Sequence, residues 1–103
     1  MKYEIEISLQ AERDLRDIYE YIAFVLLAPE NAIGQLRRLE KGILSLKEYP
    51  MRHRKYEKEP WKNRGLRVLP VDNYVLFYIA NERLKKVSIV RVMYSGRNIE
   101  EGL

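Results

Sequence analysis

The chain has 103 residues, 47% hydrophobic and 33% charged, with a formal net charge of +4. That is the size and balance of one globular domain over 1–103, too apolar for a disordered tail and without a run near the ~20 apolar residues of a membrane helix. With no cysteine and a single histidine, disulfides, a thiolate zinc site, a cysteine nucleophile and a multi-histidine metal centre are excluded, and no cofactor or metal is expected.

Residues 3–7 alternate apolar and charged, the period of a strand with one buried face. The chain enters this pattern without an apolar leader, so a cytoplasmic protein is expected. Ser8 follows as a helix cap. Ala11, Leu15, Ile18, Ile22 and Val25 recur at helical spacing and predict one buried stripe. Asp14, Arg16, Asp17 and Glu20 are expected on the outer side.

Pro29 suits a first helical turn and not a helix interior, so a second helix is predicted to start there. Ala32, Leu36, Leu39, Ile43 and Leu46 repeat the stripe, which ends near Tyr49-Pro50. The two helices form an antiparallel hairpin that needs a third surface to cover its apolar stripes.

Residues 50–65 show no clean period and read as a loop, which Trp61 is expected to pin to the core. Strands are predicted at 66–71, 74–80 and 87–94, with Asp72-Asn73 as a tight turn. Arg91, in the middle of a strand, is expected to pair with an acidic residue across the sheet. The other sheet face is expected to be partly free, and residues 100–103 to form a short mobile tail. The fold class is therefore α+β: an N-terminal strand, a helical hairpin and a three-stranded antiparallel meander, with the helices on one sheet face.

The charge is uneven. Between Arg52 and Arg67 stand seven basic residues against two acidic ones, so this segment carries +5 and the remainder −1. Arg52, Arg54, Lys55, Lys62 and Arg64 are therefore candidate contacts to a phosphate backbone or an acidic protein partner, the alternative being a solvated loop.

Three stretches carry a resemblance. They are Arg64-Gly-Leu-Arg67, Asn73-Tyr-Val-Leu-Phe-Tyr78 and the run from Val87 to Asn98 ending Arg-Val-Met-Tyr-Ser-Gly-Arg-Asn. In this order, behind a strand and a helical hairpin, they resemble the RelE/ParE superfamily of type II toxins, and the last is closest to the ParE side. The resemblance implies a cognate antitoxin whose disordered arm folds over the hairpin and sheet. It implies one of two targets: DNA gyrase, or the ribosome with its mRNA, which RelE-like members cleave without a metal. A degenerate toxin that only binds its antitoxin is a third possibility.

Cleavage would need a base for the ribose 2′-hydroxyl, cations for the pentavalent phosphate and an acid for the leaving oxygen. By family position Arg67 and Arg97 would stabilise the phosphate and Tyr94 would orient a base or phosphate. His53 is the acid–base candidate by its intrinsic pKa. The two arginines have plainer readings: Arg67 as the partner of an acidic residue across the sheet, and Arg97 as the partner of an antitoxin carboxylate. Two departures weaken the nuclease reading. Val75 stands where nuclease members often carry an arginine, and the tail Ile99-Glu-Glu-Gly-Leu103 lacks an aromatic. Gyrase inhibition is therefore slightly favoured.

Overall fold

The computed structural model describes residues 2–103. Strand β1 (Glu4–Ile7) leads into helix α1 (Leu9–Glu20), which continues as a wider π turn (Tyr21–Val25). Helix α2 (Pro29–Ser45) returns antiparallel, and a 3-10 turn (Pro50–Arg52) opens the long connection to β2 (Leu66–Val71). Strands β3 (Tyr74–Asn81) and β4 (Lys86–Tyr94) complete the meander, and a helical turn α3 (Ile99–Gly102) ends the chain. The sheet order is β1-β4-β3-β2, with β1 parallel to β4 and the other pairs antiparallel. The α+β architecture is the one expected.

Local chemistry sets the boundaries. Ser8 caps α1: its Oγ accepts from the Ala11 N–H at 3.0 Å and donates to the Val90 carbonyl at 2.9 Å. Pro29 occupies the first turn of α2. The Arg52 guanidinium donates to the Ser45, Glu48 and Tyr49 carbonyls, satisfying acceptors that the end of α2 leaves open. Glycine at position 42 lets α2 lie flat on the sheet, because a Cβ there would stand 2.9 Å from Val71 Cγ2.

The core has two faces. Ala11, Leu39, Ile43 and Leu46 from the helices pack on Leu76, Tyr78, Val87 and Ile89. The opposite face buries Leu66, Val68, Val75, Phe77 and Met93. Contrary to expectation this second face is covered. Tyr56 and Trp61 from the 53–65 segment and Ile99 and Leu103 from the chain end pack on it. Trp61 therefore does pin the loop. The 100–103 stretch is an ordered turn whose Gly102 carbonyl accepts from Arg91 Nη1.

Three local expectations are corrected. Val25 is 65% exposed, although the stripe placed it inside. The Leu26 N–H bonds to the Tyr21 carbonyl, a five-residue step that rotates the stripe and leaves Ile22 and Ala23 buried instead. Asp14 is buried and not on the outer side. Arg91 finds its carboxylate on α1 and not across the sheet: Nε donates to Asp14 Oδ2 at 2.8 Å and Nη2 to Oδ1 at 3.1 Å. The cause is one gap in the sheet. Pairing of β1 with β4 ends at Ile7 and Ile89. Asp14 fills the vacant edge beyond, accepting from the Val92 N–H at 2.9 Å. A bulge at Val90, where Phe77 pairs with Arg91 and Tyr78 with Ile89, sets the register that brings Arg91 there.

Candidate partner groove and basic edge

A groove of about 960 Å³ runs between the α1–α2 hairpin and the ends of β3 and β4. Tyr21, Leu26, Tyr74 and Tyr94 supply its apolar walls, and Asp14, Asp17, Glu30, Arg38 and Arg97 its charges, of which Asp14 is paired with Arg91 and Arg38 with Asp72. Tyr74 and Tyr94 meet edge to face, with ring centroids 5.9 Å apart. Burial first, then the neighbouring Tyr94 and Tyr21 hydroxyls, pushes the Tyr74 phenol above its usual range. Among the described residues Asp17, Glu30 and Arg97 have no salt-bridge partner. The groove is thus polarised, with free carboxylates on the helix wall and a free guanidinium where β4 ends.

Beyond the groove the hairpin tip exposes Phe24, Val25, Leu26 and Leu27. Leu27 is 80% exposed and sits at φ 54°, a left-handed conformation costly for a branched side chain. Sequence reasoning missed this surface. The available signal was the run Tyr21–Ala28, apolar at all eight positions, which is more than one helix face can bury.

The sequence-predicted residues fall into separate places. Tyr94 and Arg97 share the groove, and the Arg97 N–H closes a turn onto the Tyr94 carbonyl at 3.1 Å. Arg67 is not with them. It pairs with Tyr78, whereas Tyr94 lies in the Tyr74 row that meets Val71. The four residues from Arg67 to Val71 amount to about 13 Å along the strand at the usual rise. Arg67 Nη1 donates to the Met51 carbonyl at 2.9 Å and the His53 carbonyl at 2.7 Å. It ties the start of the long connection to β2, as Tyr78 does through its hydroxyl to the Pro50 carbonyl at 2.5 Å. Burial raises the Tyr78 phenol to about 12.

His53 stands beside Tyr78, edge to face at 6.2 Å, and its Nε2 is buried without a hydrogen-bond partner. Burial, then the Arg52 and Arg67 charges, pushes its pKa below 6.5. The folded state therefore binds fewer protons than the unfolded chain as pH falls from 6.5 towards that lowered value, and stability drops across this window. Urea midpoints measured from pH 7.5 to 5 are expected to fall, and to fall less steeply in His53→Gln.

Arg52, Arg54, Lys55, Lys62 and Arg64 are all exposed. The 54–56 segment runs along the outer edge of β2: the Val68 N–H donates to the Arg54 carbonyl at 3.1 Å and the Tyr56 N–H to the Leu66 carbonyl at 2.8 Å. Arg64 lies over the Trp61 ring at 4.9 Å. Among the described residues no three His, Asp or Glu side chains converge as metal ligands, and no helix is long and apolar enough to cross a membrane.

A four-stranded sheet with a parallel N-terminal strand beside β4 and a helical hairpin on one face defines the RelE/ParE class of toxin fold. Three solved structures share it. The chromosomal ParDE toxin–antitoxin system of P. aeruginosa superposes with a TM-score of 0.73 at 20% identity, covering 90% of this chain and 96% of that one. The RelBE2 toxin–antitoxin complex of Mycobacterium tuberculosis gives 0.65 at 20% identity, covering 91% and 99%. The archaeal RelE–RelB complex of Pyrococcus horikoshii OT3 gives 0.65 at 19%, covering 94% and 99%. No curated protein sequence matches the chain. The family model for the ParE toxin of the parDE type II toxin–antitoxin system matches residues 5–99, and the chain belongs to that family.

Proposed function

We propose that this toxin inhibits DNA gyrase by binding and is held inactive by a cognate antitoxin. The separation of the candidate catalytic groups carries this reading. Metal-free RNA cleavage asks for a base, phosphate-binding cations and an acid around one phosphodiester. Here Arg67 lies some 13 Å along the strand from the Tyr94 row, with Nη1 already bonded to the Met51 and His53 carbonyls. His53 holds its Nε2 buried and without a hydrogen-bond partner, beside Tyr78. Tyr94 and Arg97 remain as contact residues in the groove. A polarised groove with an aromatic floor fits a protein segment better than a scissile phosphate.

Two features support an antitoxin partner: membership of the parDE family, and the likeness to structures described as toxin–antitoxin complexes. The test is plasmid supercoiling by purified gyrase with the chain added. Inhibition or trapped DNA breaks, reversed by the cognate antitoxin, is expected. Unaffected gyrase together with ribosome-dependent mRNA cleavage that is lost in Arg97→Ala would replace this reading with the RelE-like one. Inertness in both assays would leave antitoxin binding alone.

A further inference from the structure

Exposed apolar and exposed cationic surface are segregated on this molecule, with Tyr49 at the start of the basic segment as the exception. The large hydrophobics that stand exposed include Tyr21, Phe24, Leu27 and Tyr94 around the groove and hairpin tip, and none lies between residues 50 and 83. That interval holds the basic segment. Of its seven cations only Lys58 has a carboxylate partner, Glu100. Arg52 and Arg67 donate to neutral carbonyls, which leaves their charge uncompensated. Arg54, Lys55, Lys62 and Arg64 are exposed with no salt-bridge partner among the described residues.

The segment is also anchored. Its strip 54–56 is bonded to β2 at both ends, and Tyr56 and Trp61 are packed beneath it on the second core face. The cations are therefore presented on a fixed edge and not on a wandering loop.

We propose that this basic edge binds the phosphate backbone of a nucleic-acid duplex without reading its sequence. An acidic protein partner fits less well. Protein interfaces centre on aromatic or aliphatic anchors and are depleted of lysine, whereas interfaces with nucleic acid are dominated by positive charge. A single strand fits less well too, since it is held by stacking bases on open aromatic rings. Here Tyr56 packs against Phe77 and Trp61 carries Arg64 over its ring, which leaves Tyr49, 79% exposed beside Arg52, as a single open ring and not a row of them. The exposed cations here are four flexible lysine and arginine side chains beside a strip only three residues long, which suits contact with phosphates more than reading of base edges. The inference stands apart from the proposed target, because it concerns a surface that does not line the hairpin groove.

The experiment is fluorescence anisotropy of a labelled 20-base-pair DNA duplex, the matching RNA duplex and a single strand, titrated with the full chain between 50 and 200 mM salt. Duplex affinity is expected to fall about 100-fold over that range, as roughly four phosphate contacts require. The reversal Arg54→Glu/Lys55→Glu/Lys62→Glu/Arg64→Glu is expected to abolish binding. The control reversal Arg13→Glu/Arg37→Glu/Lys41→Glu/Arg83→Glu makes the same change in net charge elsewhere and is expected to retain most of it. Should the reversal variant fail to fold, glutamine at the same four positions gives the same test through a lower salt slope. Similar affinity for DNA and RNA duplexes supports recognition of the backbone, and a preference for one names its source. Absence of duplex binding at 50 mM salt, equal loss in both reversals, or binding of the single strand alone would each overturn the proposal.

Discussion

Replacing Asp14 by alanine is expected to destabilise the fold by about 4 kcal/mol, the scale measured when one partner of a buried ion pair is removed. Both side chains of the pair are largely buried, at 8% exposure for Asp14 and 14% for Arg91. The variant leaves the Arg91 guanidinium without its anion and the Val92 N–H without its acceptor. A domain of this size has only about 5–15 kcal/mol in total, so the loss is a large share. The measurement is urea unfolding followed by circular dichroism. The double variant Asp14→Leu/Arg91→Met is expected to be more stable than Asp14→Ala, because it removes the stranded charge along with its partner. If Asp14→Ala costs less than about 1 kcal/mol, the carboxylate is not what closes the vacant edge of β4.

The second large effect is expected at Phe77. Truncation to alanine removes a side chain that is 1% exposed, at the centre of the second core face, and should cost about 4 kcal/mol. It also removes the ring against which Tyr56 packs at 6.0 Å. The basic segment should therefore loosen. Amide exchange at Tyr56 and Val68, whose N–H groups bond the segment to β2, is expected to accelerate more than global destabilisation explains. Exchange there that merely follows the global change would show that the segment holds its place without Phe77.

The strands and helices were legible because their signals are local. Alternation in 3–7, helical spacing from Ala11 and Ala32, Pro29 at a helix start and Asp72-Asn73 at a turn each act within a few residues. Asp72, for instance, takes the positive φ its turn requires. It is then held by Arg38 Nε at 2.6 Å and Gln35 Nε2 at 3.0 Å, and the Arg38 bond first, then the Gln35 bond, keeps its carboxyl below the usual range.

What was not legible depends on where one element stops relative to another. Nothing in the sequence around Asp14 says that β1 ends one step short of Val90, so an acidic residue at the margin of an amphipathic stripe reads as solvent-facing. The bulge at Val90 is equally silent, because Val87–Tyr94 is apolar enough to alternate in either register. The role of Arg67 depends on the connection looping back so that the Met51 and His53 carbonyls sit over β2. The groove was half legible. Tyr94 and Arg97 are legible by motif position, but the stripe through Ile22 and Val25 leaves Phe24, Leu26 and Leu27 of the helix wall and hairpin tip without a role.

The central claim is that this ParE-family chain stops growth by acting on gyrase and not on mRNA. Pulse labelling of DNA and protein synthesis after inducing the chain alone in a growing bacterium tests it most directly. The account predicts that DNA synthesis falls first and that cells filament. Protein synthesis falling first, with mRNA cut within codons, would contradict it.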